Sequence, residues 1–174
     1  MVLSSHMGVK TLVSEGEYLR TGYESPEPDF IEGEIVERSM PTMLHSEAVD
    51  ALIATLIRQA PAALYRRPEL RMQVAPGRYR VVDLAVFDRR PQREGPQSIP
   101  FIAIEVLSPD DSYAELMRKF SDYAALGVPH ILLADPIARR LSVYHDGSLE
   151  AVRQFEIPGH GVFIRPPDVF PAPE

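Results

Sequence analysis

The alternation of apolar and polar positions divides the chain into elements before any chemistry is considered. "SEGEYLRTG" opens on Ser14 with Glu17 three residues later, a capping-box spacing that predicts a short helix ending near Gly22. "DFIEGEIVER" predicts two short strands folded about Gly33. In "LHSEAVDALIATLIRQA", His45, Val49, Leu52 and Leu56 recur at helical spacing, and Ile53 and Ile57 widen the stripe, so an amphipathic helix is expected to end before Pro61. "ELRMQVAPG" and "RYRVVDLAVFD" predict consecutive strands with Gly77 near their turn. "RRPQREGPQSIP" is polar and rich in Pro and Gly, which predicts a loop.

The apolar run from Phe101 to Leu107 predicts a buried strand. "DSYAELMRKFSDYAALGVP" then carries the strongest helix signal. Ser112 and Glu115 form a second capping-box spacing, Tyr113, Leu116, Phe120 and Tyr123 make an apolar stripe, and Gly127 followed by Pro129 marks the stop. "HILLAD", "RLSVYHD" and "LEAVRQF" predict three further strands, and "PPDVFP" a terminal turn. There is no internal repeat. Helix, strands, helix and strands in one chain of 174 residues predict a single α/β domain with a mixed sheet over 11–174. Residues 1–10, with "MVLSSHM", carry no such pattern and read as a cloning remnant or a disordered N-terminus, with Met7 a candidate native start.

Composition narrows the chemistry. Cysteine is absent, which removes disulfides, thiolate metal sites and a thiol nucleophile, and fits a cytoplasmic location. No apolar run is long enough to cross a bilayer. The formal charge of −7 opposes strong non-specific attraction to nucleic acid. Arginines nevertheless crowd the stretch from Arg58 to Arg93, where they form either a solvated basic edge or a phosphate-facing flank.

Two carboxylates stand in apolar strands: Asp83 in "VVDLAVF" and Glu105 in "FIAIEVL". An unpaired buried carboxylate is costly, so each needs water, an arginine or a cation. If the strands pair in register, the two approach each other. Their repulsion then leaves one protonated unless a cation intervenes, and a small set of oxygen ligands suits Mg²⁺. Lys119, one of only two lysines, lies on the following helix beside its apolar stripe, within reach of the same sheet end or exposed to solvent. Glu32 and Glu34 flank the Gly33 turn. His45 and Glu47 sit near the start of their helix, where His45 is either a satisfied core imidazole or a contact to substrate or to a water on the metal. His130, His145 and His160 lack metal-ligand spacing, Ser108 lacks a nucleophile-elbow context, and no glycine-rich phosphate loop is present.

The ordered set "EYLRTGY", "DFIEGEIVER", "MLHSEAV", "ELRMQVAPGRYRVVDLAVF", "IEVLSPDD" and "RKFSDYAALGVPHILLADP", with a final "DVF", resembles the Uma-two family of endonucleases within the PD-(D/E)XK superfamily. The resemblance runs from about Thr11 to Phe170. It implies a restriction-endonuclease-like fold, a central mixed sheet flanked by helices. It implies metal ligation by Asp83, Glu105 and the carbonyl of Val106, and catalysis by Asp83, Glu105 and Lys119 with Mg²⁺ or Mn²⁺. Glu34, His45 and Glu47 become candidates to line the site. Arg71, Arg78 and Arg80, by their place on the adjoining strands, become candidates to contact the backbone of nucleic acid, with DNA the expected partner; the oligomeric state stays open, a homodimer being favoured if both strands are cut. Two positions depart from the superfamily pattern. Val82 replaces the usual proline, and Leu107 stands where many such nucleases carry lysine; Lys119 matches the family's alternative placement. These departures, with the acidic net charge, keep open a non-catalytic binding or self-assembly module that retains the fold.

Overall fold

The computed structural model describes residues 12–60, 63–91 and 97–170. The N-terminal segment and the middle of the polar loop before Phe101 therefore lie outside the described residues. The elements run α1 (Glu15–Arg20), β1 (Asp29–Ile31), β2 (Glu34–Val36), α2 (Met43–Gln59), β3 (Tyr65–Ala75), β4 (Arg78–Phe87), β5 (Ile102–Val106), α3 (Tyr113–Leu126), β6 (His130–Asp135), β7 (Arg140–His145), β8 (Ser148–Val152), β9 (Phe155–Ile157), β10 (Val162–Ile164) and α4 (Pro166–Val169). Eight strands form one mixed sheet in the order β2-β1-β4-β5-β6-β7-β8, with β3 also on β4, and β9 and β10 form a separate hairpin. This is the mixed α/β architecture that the alternation predicts.

The two faces of the sheet carry different helices. On one, Leu84, Val86, Ile102 and Ile104 pack with Ala48, Leu52 and Leu56 of α2, with the small hairpin and with α4. On the other, Ala85, Phe87 and Ala103 pack with Leu116, Phe120 and Tyr123 of α3. Strand alternation sends neighbouring residues of β4 and β5 into opposite cores, which is why both strands are apolar throughout.

The ends of the elements follow local chemistry with some departures. Ser14 caps α1 by accepting from the Glu17 N–H, as its spacing predicts. Thr42 does the same for α2 through the His45 N–H. Ser112 stands at the N-cap of α3 but makes no side-chain cap bond, and the Glu115 carboxylate pairs with Arg80 and Arg118. Gly127 ends α3 with φ 94°, a left-handed conformation that a Cβ would disfavour. Tyr113, read as part of the apolar stripe, is 66% exposed; the stripe begins at Leu116. β3 starts earlier than its pattern suggests, since Pro68 lies within the strand.

One feature of β4 positions everything that follows. Along one edge it pairs with β3, from Tyr65↔Phe87 to Ala75↔Arg78. The opposite edge is divided between two strands. β1 pairs at Phe30↔Tyr79 and Ile31↔Arg78, and β5 pairs from Leu84↔Ile104 to Val86↔Ile102. Between these ladders the edge of β4 has no strand partner. Its backbone groups still require hydrogen bonds, and side chains provide them.

Candidate metal centre and nucleic-acid cleft

Asp83 stands where β4 leaves the gap and meets β5, and continuing the β4–β5 register by one pair sets it opposite Glu105. The gap is closed by polar side chains. The Asp29 carboxylate accepts from the Val81 N–H at 2.8 Å, and Lys119 Nζ donates to the Val81 carbonyl at 2.8 Å. Asp83 Oδ2 accepts from the Val106 N–H at 2.8 Å. Missing ladder bonds are thus replaced by charged groups, two of which, Asp83 and Lys119, the sequence marks as chemically interesting.

Glu105 is held from α3. Lys119 Nζ donates to Oε2 at 2.8 Å, and the Tyr123 hydroxyl donates to Oε1 at 2.6 Å. Lys119 and Tyr123 are four residues apart, so one helical face delivers both donors. Asp83 is held from the other side. Arg38, on the segment between β2 and α2, pairs with Oδ1, and His45 Nε2 lies 3.3 Å from Oδ2. When that imidazole donates through Nε2, its buried Nδ1 is an acceptor, and it has no partner among the described residues.

The electrostatics separate the two carboxylates. Burial alone would raise the Asp83 carboxyl, but the His45 hydrogen bond and the charges of Lys119 and Arg38 prevail and hold it well below the usual carboxylate range. Burial raises Glu105 to about 7, with Lys119 opposing the rise and Asp83 adding to it. Burial, then Glu105, pushes the Tyr123 phenol well above its ordinary value, so it remains a donor. Burial works against the charge on Arg38, yet Asp83 and then Glu105 outweigh it and hold its proton more tightly. Two facing carboxylates in a dry site, one ionised and one near its titration point, are a place with room for more positive charge.

Arg38, His45, Asp83, Glu105 and Lys119 line a cleft of about 240 Å³, together with Asp29, Glu37, Ser108, Asp110, Asp111 and Glu115. Asp83, Glu105, Val106, Lys119 and His45 are therefore brought together. Glu34 and Glu47 are not; Glu34 lies on β2 and Glu47 on an exposed part of α2, both outside the cleft lining. Among the described residues no group of three or more His, Cys, Asp or Glu is arranged to hold a metal.

The arginines expected at phosphates are engaged elsewhere. Arg71 pairs with Glu27 at 2.9 Å and lies 4.4 Å over the Tyr18 ring. Arg78 pairs with Glu32 and Asp122. Arg80 is 2% exposed, with Asp29, Glu115 and Asp122 around its guanidinium, which closes it to a phosphate backbone. Asp29, Arg38 and Tyr123 are the site residues that the pattern did not single out. For Tyr123 a signal existed in its four-residue spacing from Lys119. For Arg38 there was none, because its partner is 45 residues away in sequence.

Comparison with known proteins bears on the family and the fold. A family model described as "Putative restriction endonuclease" matches residues 16–174. The crystal structure of a protein described as a "putative nuclease belonging to DUF820", from Anabaena variabilis, superposes with a TM-score of 0.75 at 23% identity, covering 89% of this chain and 96% of that one. A DrdV–DNA complex aligns at a TM-score of only 0.35 and 14% identity over 63% of this chain and 12% of that one, too slight a likeness to bear on the fold. No curated protein matches the chain.

Proposed function

The chain belongs to the Uma2 family, and on that premise we propose that it is a divalent-metal-dependent endonuclease that hydrolyses phosphodiester bonds, with DNA as its substrate. The observation that supports this most is the facing of Asp83 and Glu105 across β4 and β5, with Lys119 hydrogen-bonded to Glu105. The donor set fits a hard cation. Two carboxylates and the Val106 carbonyl are oxygen ligands, few in number, which suits Mg²⁺ or Mn²⁺ retaining several waters. The raised Glu105 carboxyl is a further sign of fit, since added positive charge would relieve its repulsion with Asp83.

A bound cation supplies a Lewis acid for a phosphoryl oxygen and favours deprotonation of a water. The remaining work falls to side chains of the chain itself. Lys119 has three N–H bonds. Two are committed to Glu105 and to the Val81 carbonyl, and the third is available to orient the attacking water or to meet charge on the phosphate. Tyr123 fixes the rotamer of Glu105, and the Val106 N–H and His45 fix that of Asp83. His45 is thus a positioning residue for Asp83. Cutting both strands of a duplex calls for two such centres, which a homodimer provides.

A second reading, a binding or assembly module that keeps the fold without hydrolysis, is favoured by Leu107 in place of lysine and by the engagement of Arg71, Arg78 and Arg80 in internal ion pairs. Incubation of plasmid, single-stranded DNA and RNA with Mg²⁺ or Mn²⁺ separates the two. Metal-dependent cleavage is expected, lost by roughly a hundredfold or more in Asp83→Ala and Glu105→Ala. Cleavage that survives both substitutions would remove this centre from the chemistry.

A further inference from the structure

The contacts of Asp83 are unequal in kind. Oδ2 is held by a backbone N–H of β5 and by a helix-borne imidazole, groups fixed by the fold. Oδ1 is held by Arg38, which sits at the end of a long side chain on a segment outside any helix or strand. The Arg38 guanidinium feels both Asp83 and Glu105, so it brings positive charge to the two carboxylates that would ligate a cation. Among the described residues its other tether is weak, a 3.4 Å contact from Nη1 to the Glu27 carbonyl. A cation seated between Asp83 and Glu105 needs an oxygen of Asp83, and Oδ1 is the one whose partner can move.

We propose that Arg38 is a displaceable internal cation that competes with the divalent metal for Asp83 Oδ1, and so sets the metal concentration at which the centre assembles. The inference rests on the metal-centre reading above and adds a regulatory contact to it. Held by Arg38, Asp83 stays ionised and oriented without a metal.

The test reads metal binding and the arginine itself, not turnover. Mn²⁺ affinity is measured by calorimetry for wild type, Arg38→Gln and Arg118→Gln. Arg118 is an exposed arginine paired with the cleft residue Glu115, and it controls for bulk charge. Arg38→Gln is expected to bind Mn²⁺ about tenfold or more tightly, the scale of one charge-assisted hydrogen bond, with Arg118→Gln within about twofold of wild type. In parallel, Mg²⁺ added to wild-type protein labelled with ¹⁵N-arginine is expected to shift the Arg38 guanidinium resonance, assigned by its loss in Arg38→Lys. Equal Mn²⁺ affinity in wild type and Arg38→Gln, or equal tightening in Arg118→Gln, overturns the competition while leaving the metal centre standing. Absence of Mn²⁺ binding in every protein overturns both. If Arg38→Gln does not fold, a guanidinium resonance unmoved by saturating Mg²⁺ in the wild type overturns the proposal.

Discussion

Replacing Lys119 with methionine tests the geometry of the centre without assuming any activity. Lys119 donates to Glu105 and to the Val81 carbonyl, both at 2.8 Å, and its side chain is 9% exposed against 5% for Glu105. Removing one partner of a buried ion pair costs about 3–5 kcal/mol while the other remains charged. Glu105 can escape part of that cost by taking up a proton, since burial already places it at about 7. At pH 6 the variant should lose chiefly the bond to Val81, about 1 kcal/mol. At pH 8.5 it should lose up to about 3 kcal/mol, because each pKa unit of further elevation, as far as the working pH, adds about 1.4 kcal/mol to the lost Val81 bond. The sign follows from linkage. A carboxyl raised in the folded state holds a proton that the unfolded chain releases, so stability falls as pH rises through the window from its ordinary value to the folded one, and Lys119→Met extends that window upward. For a chain of this length these losses correspond to a fall in Tm of roughly 3 °C at pH 6 and roughly 10 °C at pH 8.5, read by calorimetry in EDTA. Adding Glu105→Gln should flatten the pH dependence and recover stability at pH 8.5. An equal Tm shift at both pH values would refute the argument, because it would mean that Glu105 does not depend on Lys119 for its charge.

Three further substitutions probe other contacts. Tyr123→Phe removes the 2.6 Å bond to Glu105 from a buried carboxylate and should cost about 1–3 kcal/mol, measured by urea unfolding. Arg80→Met leaves Asp29, Glu115 and Asp122 without their shared cation and should destabilise by about 3–5 kcal/mol, while the salt dependence of the proposed DNA binding, read by fluorescence titration, stays unchanged. His130 lies edge-on to Phe101 at 4.9 Å, and burial lowers its pKa, so its contribution to stability is present above the ordinary histidine range and lost as pH falls. His130→Phe should therefore soften the loss of Tm between pH 7 and pH 5.

The parts of the centre legible in the sequence are those governed by local periodicity. Alternation set Asp83 and Glu105 each amid apolar neighbours, and helical spacing put Lys119 one strand-to-helix step beyond Glu105. The parts that escaped depend on partners far apart in the chain. The run of arginines between Arg58 and Arg93 looks basic when counted along the sequence. In the fold, Glu27, Asp29, Glu32 and Asp122 arrive from other elements and neutralise Arg71, Arg78 and Arg80. Helical spacing places Tyr123 on an apolar stripe and its ring is buried there, but the spacing does not reveal that its hydroxyl carries a hydrogen bond to the site. The reciprocal half of the capping box at Ser112 is lost for a related reason, since the Glu115 carboxylate pairs with Arg80 and Arg118, charged partners stronger than a backbone N–H.

The divided edge of β4 explains why this centre can hold so much charge inside a sheet. An unbroken ladder from β1 to β5 would saturate the backbone of β4 and leave no role for polar side chains between the helices. Because the ladder is interrupted, the Val81 N–H and C=O and the Val106 N–H need partners, and Asp29, Lys119 and Asp83 provide them at 2.8 Å each. Each bond offsets part of the cost of burying a charged group by satisfying a backbone group that would otherwise be unpaired. The same interruption leaves space for the cleft in front of the two carboxylates. Folding and chemistry therefore place the same demand on these positions. The sheet must break between β1 and β5 for a charged centre to exist there, and the charged side chains must be present for the broken sheet to be stable.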